Sequence, residues 1–168
     1  MALEIEKLLD DTGWQLLQEL QQNARLSFSE LGQRVGLSSP AVAERVRKME
    51  DAGIITGYHA EVNTAKLGFP ITAIIRMTGY GETCSRLNAV ISELPEVLES
   101  YRVTGSDWVI MKIIATSVEH LEAFLDRISV YGQSTTSIIL SASVTRKIIP
   151  RVEDVVSEQR AEGPFVRS

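Results

Sequence analysis

Hydrophobic positions along this chain recur with two different periods, and the change of period near residue 70 divides it. From Thr12 to Gly53 apolar residues return every three or four positions, the spacing that lines one face of a helix. Leu16, Leu17 and Leu20 form the first such face, with Trp14 at its start and Thr12 standing where a cap is expected. The stretch LSFSELGQRVGLSSPAVAERVRKMEDAG from Leu26 holds two further helices. Ser27 offers its hydroxyl to the amide of Glu30 while Glu30 reaches back, a reciprocal capping box that predicts a helix from about Phe28 to Val35. Gly36 sits just past its end, where a left-handed backbone suits glycine, and Ser38 is placed to cap the next helix, with Pro40 tolerated in its first turn. Gly53 closes that helix in the same way. Ile54 to Val62 predicts two short strands turning near Thr56 and Gly57, a wing.

After a linker at 63–69 the pattern becomes mixed. Ile71 to Met77 predicts a strand stopped by Gly79 and Gly81. Leu87, Val90, Ile91 and Leu94 predict a helix ended by Pro95. Val97 to Val103 alternates, Thr104 to Asp107 makes a turn, and Trp108 to Ala115 is a nearly continuous apolar strand, so these two form a hairpin. Ser117 or Thr116 caps a helix carrying Val118, Leu121, Phe124, Leu125, Ile128 and Tyr131, and Gly132 ends it before a strand from about Ser134 to Thr145. The order βαββαβ predicts an α+β, ferredoxin-like second domain, an antiparallel four-stranded sheet with both helices on one face. Ile110, Ile114, Ile138 and Leu140 supply more apolar surface than two such helices hide, so a sheet from a second protomer is the expected cover. The expected division is 1–62, the linker 63–69, 70–149, and a mobile polar tail at 150–168 with Arg151, Glu153, Asp154, Glu158, Arg160 and Gly163.

The paired helices of the first domain have the spacing of a helix-turn-helix. In the second of them Val42, Val46 and Met49 make one apolar stripe, while Pro40, Glu44, Arg47, Lys48 and Asp51 fall opposite, with Ala41 and Arg45 at the margins. A recognition helix presents early residues and basic side chains to a major groove about 12 Å wide. Ser27, Ser38, Ser39 and Lys48 suit phosphates; Glu44, Arg45 or Arg47 suit base edges, and Pro40 and Ala41 are small enough for close approach. The expected partner is double-stranded DNA.

Charge tempers this only in degree. The chain has formal net charge −5, and up to Ala60 six basic residues (Lys7, Arg25, Arg34, Arg45, Arg47, Lys48) face nine acidic ones. Counterion release depends on the few cations that reach phosphates, and the basic side chains gather at the second helix. Modest affinity per protomer and dependence on a dimer follow, because two half-sites multiply weak contacts. The chain is 168 residues long and 44% hydrophobic, which is enough for two small cores. No run of about 18 apolar residues spans a membrane, and the acidic start with Glu4, Glu6, Asp10 and Asp11 does not suit a secretory signal. The single Cys84 allows no internal disulfide and is expected to be a packing residue. A cytoplasmic protein is expected.

The segment from Leu8 through Gly68, with its turn, recognition helix and Gly-Ile-Ile-x-Gly-Tyr wing, resembles the N-terminal domain of the Lrp/AsnC family, the feast/famine transcription regulators. With the βαββαβ pattern the similarity extends to Ile149, and it implies that the second domain is the effector and assembly domain called RAM. Val103-Thr104-Gly105-Ser106-Asp107 resembles the family's Val-Thr-Gly-x-x-Asp turn, which implies a ligand site between dimers and an amino acid as effector. Glycine lets backbone amides approach a carboxylate, and Asp107 can accept an amino group. Tyr101 and the polar run containing Ser134, Thr135 and Thr136 are candidates to line the same pocket. The resemblance also implies a homodimer assembling further, to an octamer in some members.

An enzyme has to be weighed, because sirohaem decarboxylases resemble this two-domain arrangement. They need histidine and arginine beside a tetrapyrrole, whereas the two histidines here are His59 in the wing and His120 early in a helix, the latter read as a surface residue. No phosphate loop, paired-cysteine metal spacing or Ser-His-Asp set stands out. No catalytic residue, metal or cofactor is therefore expected. A small-molecule sensor without DNA binding would lack the polar recognition face that this chain has.

Overall fold

The computed structural model describes residues 2–79 and 82–161; Gly81, the side chains of Cys84, Glu158 and Arg160, and the tail from Gly163 lie outside the described residues. By contact the chain forms two units, Met1–Ala60 with Val144–Ser168, and Glu61–Ser143. The last segment therefore groups with the first unit instead of closing the second.

The first unit contains α1 (Ala2–Leu8), α2 (Asp11–Gln22), α3 (Phe28–Val35) and α4 (Ser39–Asp51). The expected stripes meet in one core, where Leu16, Leu20, Leu31, Val42 and Val46 are buried together and Leu26, Val35, Leu37 and Ile55 pack against them. Asp10, not Thr12, caps α2, its Oδ1 accepting from the Gly13 amide at 2.8 Å. A carboxylate suits the positive end of a helix better than a hydroxyl, and Thr12 is already inside the first turn. The capping box of α3 is present in full. The Ser27 amide donates to Glu30 Oε2 at 2.8 Å and the Glu30 amide to Ser27 Oγ at 3.2 Å. Gly36 ends α3 with φ of 70°. The turn then folds so tightly that a Cβ on Gly32 would stand 2.4 Å from the Leu37 carbonyl oxygen. Ser38 occupies the N-cap position of α4, but its side chain makes no capping bond. The wing strands are not formed. The amides of Ile54 and Ile55 both turn back to the Met49 carbonyl, at 2.8 and 3.2 Å, and residues 56–63 form neither helix nor strand.

The second unit is βαββαβ, with β1 (Ile71–Thr78), α5 (Glu82–Ile91), β2 (Val97–Arg102), β3 (Val109–Ala115), α6 (Val118–Ser129) and β4 (Gln133–Ile138). The sheet order is β2-β3-β1-β4 and every pairing is antiparallel. Ala73, Ile75 and Met77 alternate with Thr72, Ile74, Arg76 and Thr78 on β1 and join Val109, Met111 and Ile113 under Leu87, Leu121, Phe124 and Ile128. The last strand is shorter than its composition suggests. It stops at Ile138, opposite Ala73; the Ile139 amide still donates to the Thr72 carbonyl at 2.9 Å, and β1 itself begins at Ile71, so little of its edge is left to pair with the residues that follow. The opposite face of the sheet is also less apolar than expected. Ile110 pairs with Arg76 and Tyr101 there, but Ile114 is already buried, Ile138 is aligned with Ala73 on the helix side, and Leu140 lies beyond the strand and is almost fully exposed.

The described part of the tail, as far as Ala161, is helical where no element was expected; the rest lies outside the described residues. α7 (Val152–Ala161) follows an anchor in which Arg151 Nη1 lies 2.6 Å from Asp11 Oδ1, its guanidinium 5.9 Å over the Trp14 ring. The Ile149 amide donates to Gln21 Oε1 at 2.9 Å. These partners are about 130 residues upstream, beyond the reach of any local pattern.

Candidate nucleic-acid interface and effector turn

Helix α4 buries Val42, Val46 and Met49 completely or nearly so. Its other face is exposed and laced by local pairs. Lys48 Nζ lies 2.8 Å from Glu44 Oε1, and Arg47 Nη1 lies 3.7 Å from Asp51 Oδ2, each one helical turn apart. The Lys48 ammonium holds the Glu44 carboxyl below its ordinary range through that bond. Such exposed pairs are screened by water and contribute little, so both cations can be recruited by a phosphate at little cost. Ser39, Pro40 and Ala41 form the first turn of the same helix, and Ser27 is occupied by its capping box at the start of α3.

Arg45 is placed differently. Its Nη1 and Nη2 donate to Asp10 Oδ1 and Oδ2 at 2.6 and 2.7 Å, a bidentate pair that ties α4 to the cap of α2. The Arg45 bond holds the Asp10 carboxyl below its ordinary value, with the Gly13 amide assisting. The same oxygen thus caps one helix and anchors another. Asp10 is the functional residue that the sequence reading missed, and its only signal was a carboxylate immediately ahead of an amphipathic helix.

In the second unit, Thr104 to Asp107 joins β2 to β3, as expected. Gly105 takes φ of +112°, with open space where a Cβ would stand. The Val103 amide donates to the Trp108 carbonyl and the Trp108 amide to the Met77 carbonyl, at 3.2 and 2.7 Å, which fixes the base of the turn to the sheet. Among the described residues neither Ser106 nor Asp107 bonds the turn's own backbone through its side chain. Tyr101 is exposed on β2 and donates to Glu99 Oε2 at 2.7 Å, while Lys112 Nζ reaches Glu99 Oε1 at 3.0 Å. Together these bonds depress the Glu99 carboxyl, the Tyr101 bond first, and raise the Tyr101 phenol. Ser134, Thr135 and Thr136 do not join this group within the chain. They lie on β4, the edge opposite β2, and successive strand residues point to alternate faces, Thr135 pairing with Arg76 and Thr136 with Ile75.

His120 is not a free surface residue. Its Nδ1 accepts from the Thr116 amide at 3.2 Å, and its Nε2 lies 3.2 Å from Oε1 of the buried Glu96, which Arg127 also contacts. Burial raises the Glu96 carboxyl, but a bond from its own backbone amide, then the His120 and Arg127 bonds and the Arg127 charge, outweigh it and leave it below the ordinary range. This cluster fastens α6 to the loop before β2. His59 is exposed in the first unit, so the two histidines belong to separate units.

The model of the AsnC-type helix-turn-helix domain matches residues 9–50, and that of the Lrp/AsnC ligand binding domain matches residues 72–149. The HTH-type transcriptional regulator YezC of Bacillus subtilis is 44% identical over 135 residues, covering 80% of this chain and 96% of that protein. The solved structure of Bacillus subtilis LrpC superimposes with a TM-score of 0.78 at 38% identity, over 82% of this chain and 99% of that one. A transcriptional regulator of Neisseria meningitidis, solved in complex with L-methionine, gives a TM-score of 0.78 at 28% identity, over 84% and 96% of the two chains.

Proposed function

This chain belongs to the Lrp/AsnC family of helix-turn-helix transcription regulators, and from that we propose a DNA-binding regulator whose assembly is tuned by an amino acid. The observation that carries the proposal is the division of α4, with its apolar stripe buried and Arg47 and Lys48 held on the outer face only by local pairs. Ser38, Ser39 and Lys48 meet phosphates, and Arg47 and Glu44 face base edges, with Pro40 and Ala41 allowing the first turn of α4 to enter the groove. Arg45, engaged by Asp10, acts as a positioning residue that holds α4 at its angle.

The effector enters at the Thr104–Asp107 turn. Asp107 receives the ammonium group, and the amides around Gly105 receive the carboxylate, a geometry supported by the open positive-φ glycine. The L-methionine held by the Neisseria meningitidis relative supports an amino acid as the ligand class. Tyr101 lies on the strand leading into the turn. Ser134, Thr135 and Thr136 complete a pocket only if another copy brings its β4 edge to this turn, which agrees with a homodimer that assembles further. The ligand then acts by binding one assembly state better than another. The activity is one of binding, without catalysis or cofactor, in the cytoplasm; no described helix is long and apolar enough to cross a membrane.

Selection of binding sites from random DNA, repeated with L-methionine and the other amino acids, tests the whole proposal; no enriched sequence would refute it. For the turn, Asp107→Ala removes a charge-assisted contact of about 1.5–3 kcal/mol. Calorimetry should show a loss of roughly tenfold to over a hundredfold in amino-acid affinity. Unchanged affinity in a folded variant would show that Asp107 is an ordinary turn residue.

A further inference from the structure

The DNA-binding unit contains a cavity of about 660 Å³, formed between α2, the irregular segment after α4, and the returning C-terminal segment. Its size is that of a small-molecule site. The floor is apolar, with Leu9, Trp14, Leu17 and Ile55, and the rim carries Arg25, His59 and Arg146. Among the described residues no aspartate or glutamate lines it. Glu50, partner of the lining Tyr58, and Asp11, partner of Arg151 above Trp14, are both engaged and are not lining residues. The C-terminal segment closes the cavity through Ile149 and Arg146 and is itself fixed by the Gln21 bond and the Arg151 anchor. Arg151 lies past residue 149, where the family model ends.

We propose that this cavity binds a small amphipathic carboxylate, its apolar body on the floor and its carboxylate at the rim between Arg25 and Arg146. An amino acid is the wrong ligand, because its ammonium group would find no acidic partner here. A DNA backbone is equally unsuited, since it has no apolar body with which to fill the floor. Two arginines and a histidine above an apolar floor match one negative charge on an apolar chain. The site is distinct from the Thr104–Asp107 turn and does not depend on it.

Trp14 reports on the cavity from inside, and Trp108 is the one other tryptophan. Full-length protein carrying Trp108→Phe should be titrated, at constant ionic strength and below micelle formation, with straight-chain carboxylates from hexanoate to dodecanoate and with the matching alcohols. The expected result is a saturable change in Trp14 emission for the longer carboxylates, with at least tenfold weaker binding of the alcohols. Arg25→Gln with Arg146→Gln should weaken carboxylate binding by the same order, and because both side chains are exposed the folded state survives, as a thermal melt will show. Absence of a saturable response, equal binding of alcohol and carboxylate, or an unaffected double variant would overturn the proposal. So would iodide quenching of Trp14 that varies with protein concentration and not with added carboxylate, because the cavity would then belong to an interface between copies.

Discussion

Arg45 stands on the recognition helix yet places both terminal nitrogens on Asp10, 35 residues upstream, and that pair serves structure before it serves DNA. Asp10 also caps α2, so its two roles can be separated by choice of substitution. Asparagine caps a helix about as well as aspartate but carries no charge, whereas alanine does neither. Asp10→Ala should therefore destabilise the protein by about 1 kcal/mol more than Asp10→Asn in urea unfolding. The pH dependence has a defined sign. The folded Asp10 carboxyl lies below its ordinary value of 3.8, so its contribution is fully present above that value and disappears as pH falls through the folded one. Acid titration of stability should fall less steeply below about pH 4 in Asp10→Asn than in the parent. Equal acid limbs would mean that the ion pair contributes nothing. At this scale the sequence was most legible where partners are neighbours, as in the Ser27–Glu30 box. It was silent on Asp10 with Arg45 and on Glu96 with His120 and Arg127, whose members meet only after the chain has folded back.

Among the elements, α4 is where composition and function coincide. Its buried stripe needs only the spacing of Val42, Val46 and Met49, and the outer face is free to be selected for charge. Arg47→Ala with Lys48→Ala removes two exposed cations and two weak local pairs, so the melting temperature should stay nearly constant. DNA affinity should fall, and the slope of log K against log salt should flatten by roughly 0.9 per protomer from the loss of the Lys48 phosphate contact. A double variant with parental affinity and slope would remove α4 from the interface. Strands were harder to read than helices. A helix satisfies its backbone within itself, so periodicity and caps locate it, whereas a strand exists only where a facing edge does. For that reason Ile139 to Thr145 continues the strand-like composition of β4 but not the strand, and the expected wing remains irregular chain.

At the scale of the whole molecule, the homodimer proposed above is expected to form through the sheet face that no helix of the second unit covers. Ile110 and Ile74 lie on it amid Arg76, Lys112, Glu99 and Tyr101, a mixed surface suited to a specific partner more than to indiscriminate association. Ile110→Glu in the full-length chain should shift sedimentation at micromolar concentration toward the monomer and weaken DNA binding by removing the second half-site, while circular dichroism stays that of the parent. A variant that sediments as the parent would place the interface elsewhere. What the sequence by itself determined is the three helices α2 to α4 and the order of the βαββαβ elements, while α1, α7 and the absence of wing strands were not legible in it. Caps, turn glycines and apolar spacing act over a few residues, and the helix-turn-helix and the βαββαβ pattern are each written in such short-range terms. The tertiary structure alone decided which distant charges meet, where β4 loses its partner, and that the C-terminal segment returns to α2 through Arg151 and Ile149. Those outcomes depend on strand register and on contacts between residues far apart in the chain, and no periodicity within a short window carries that information.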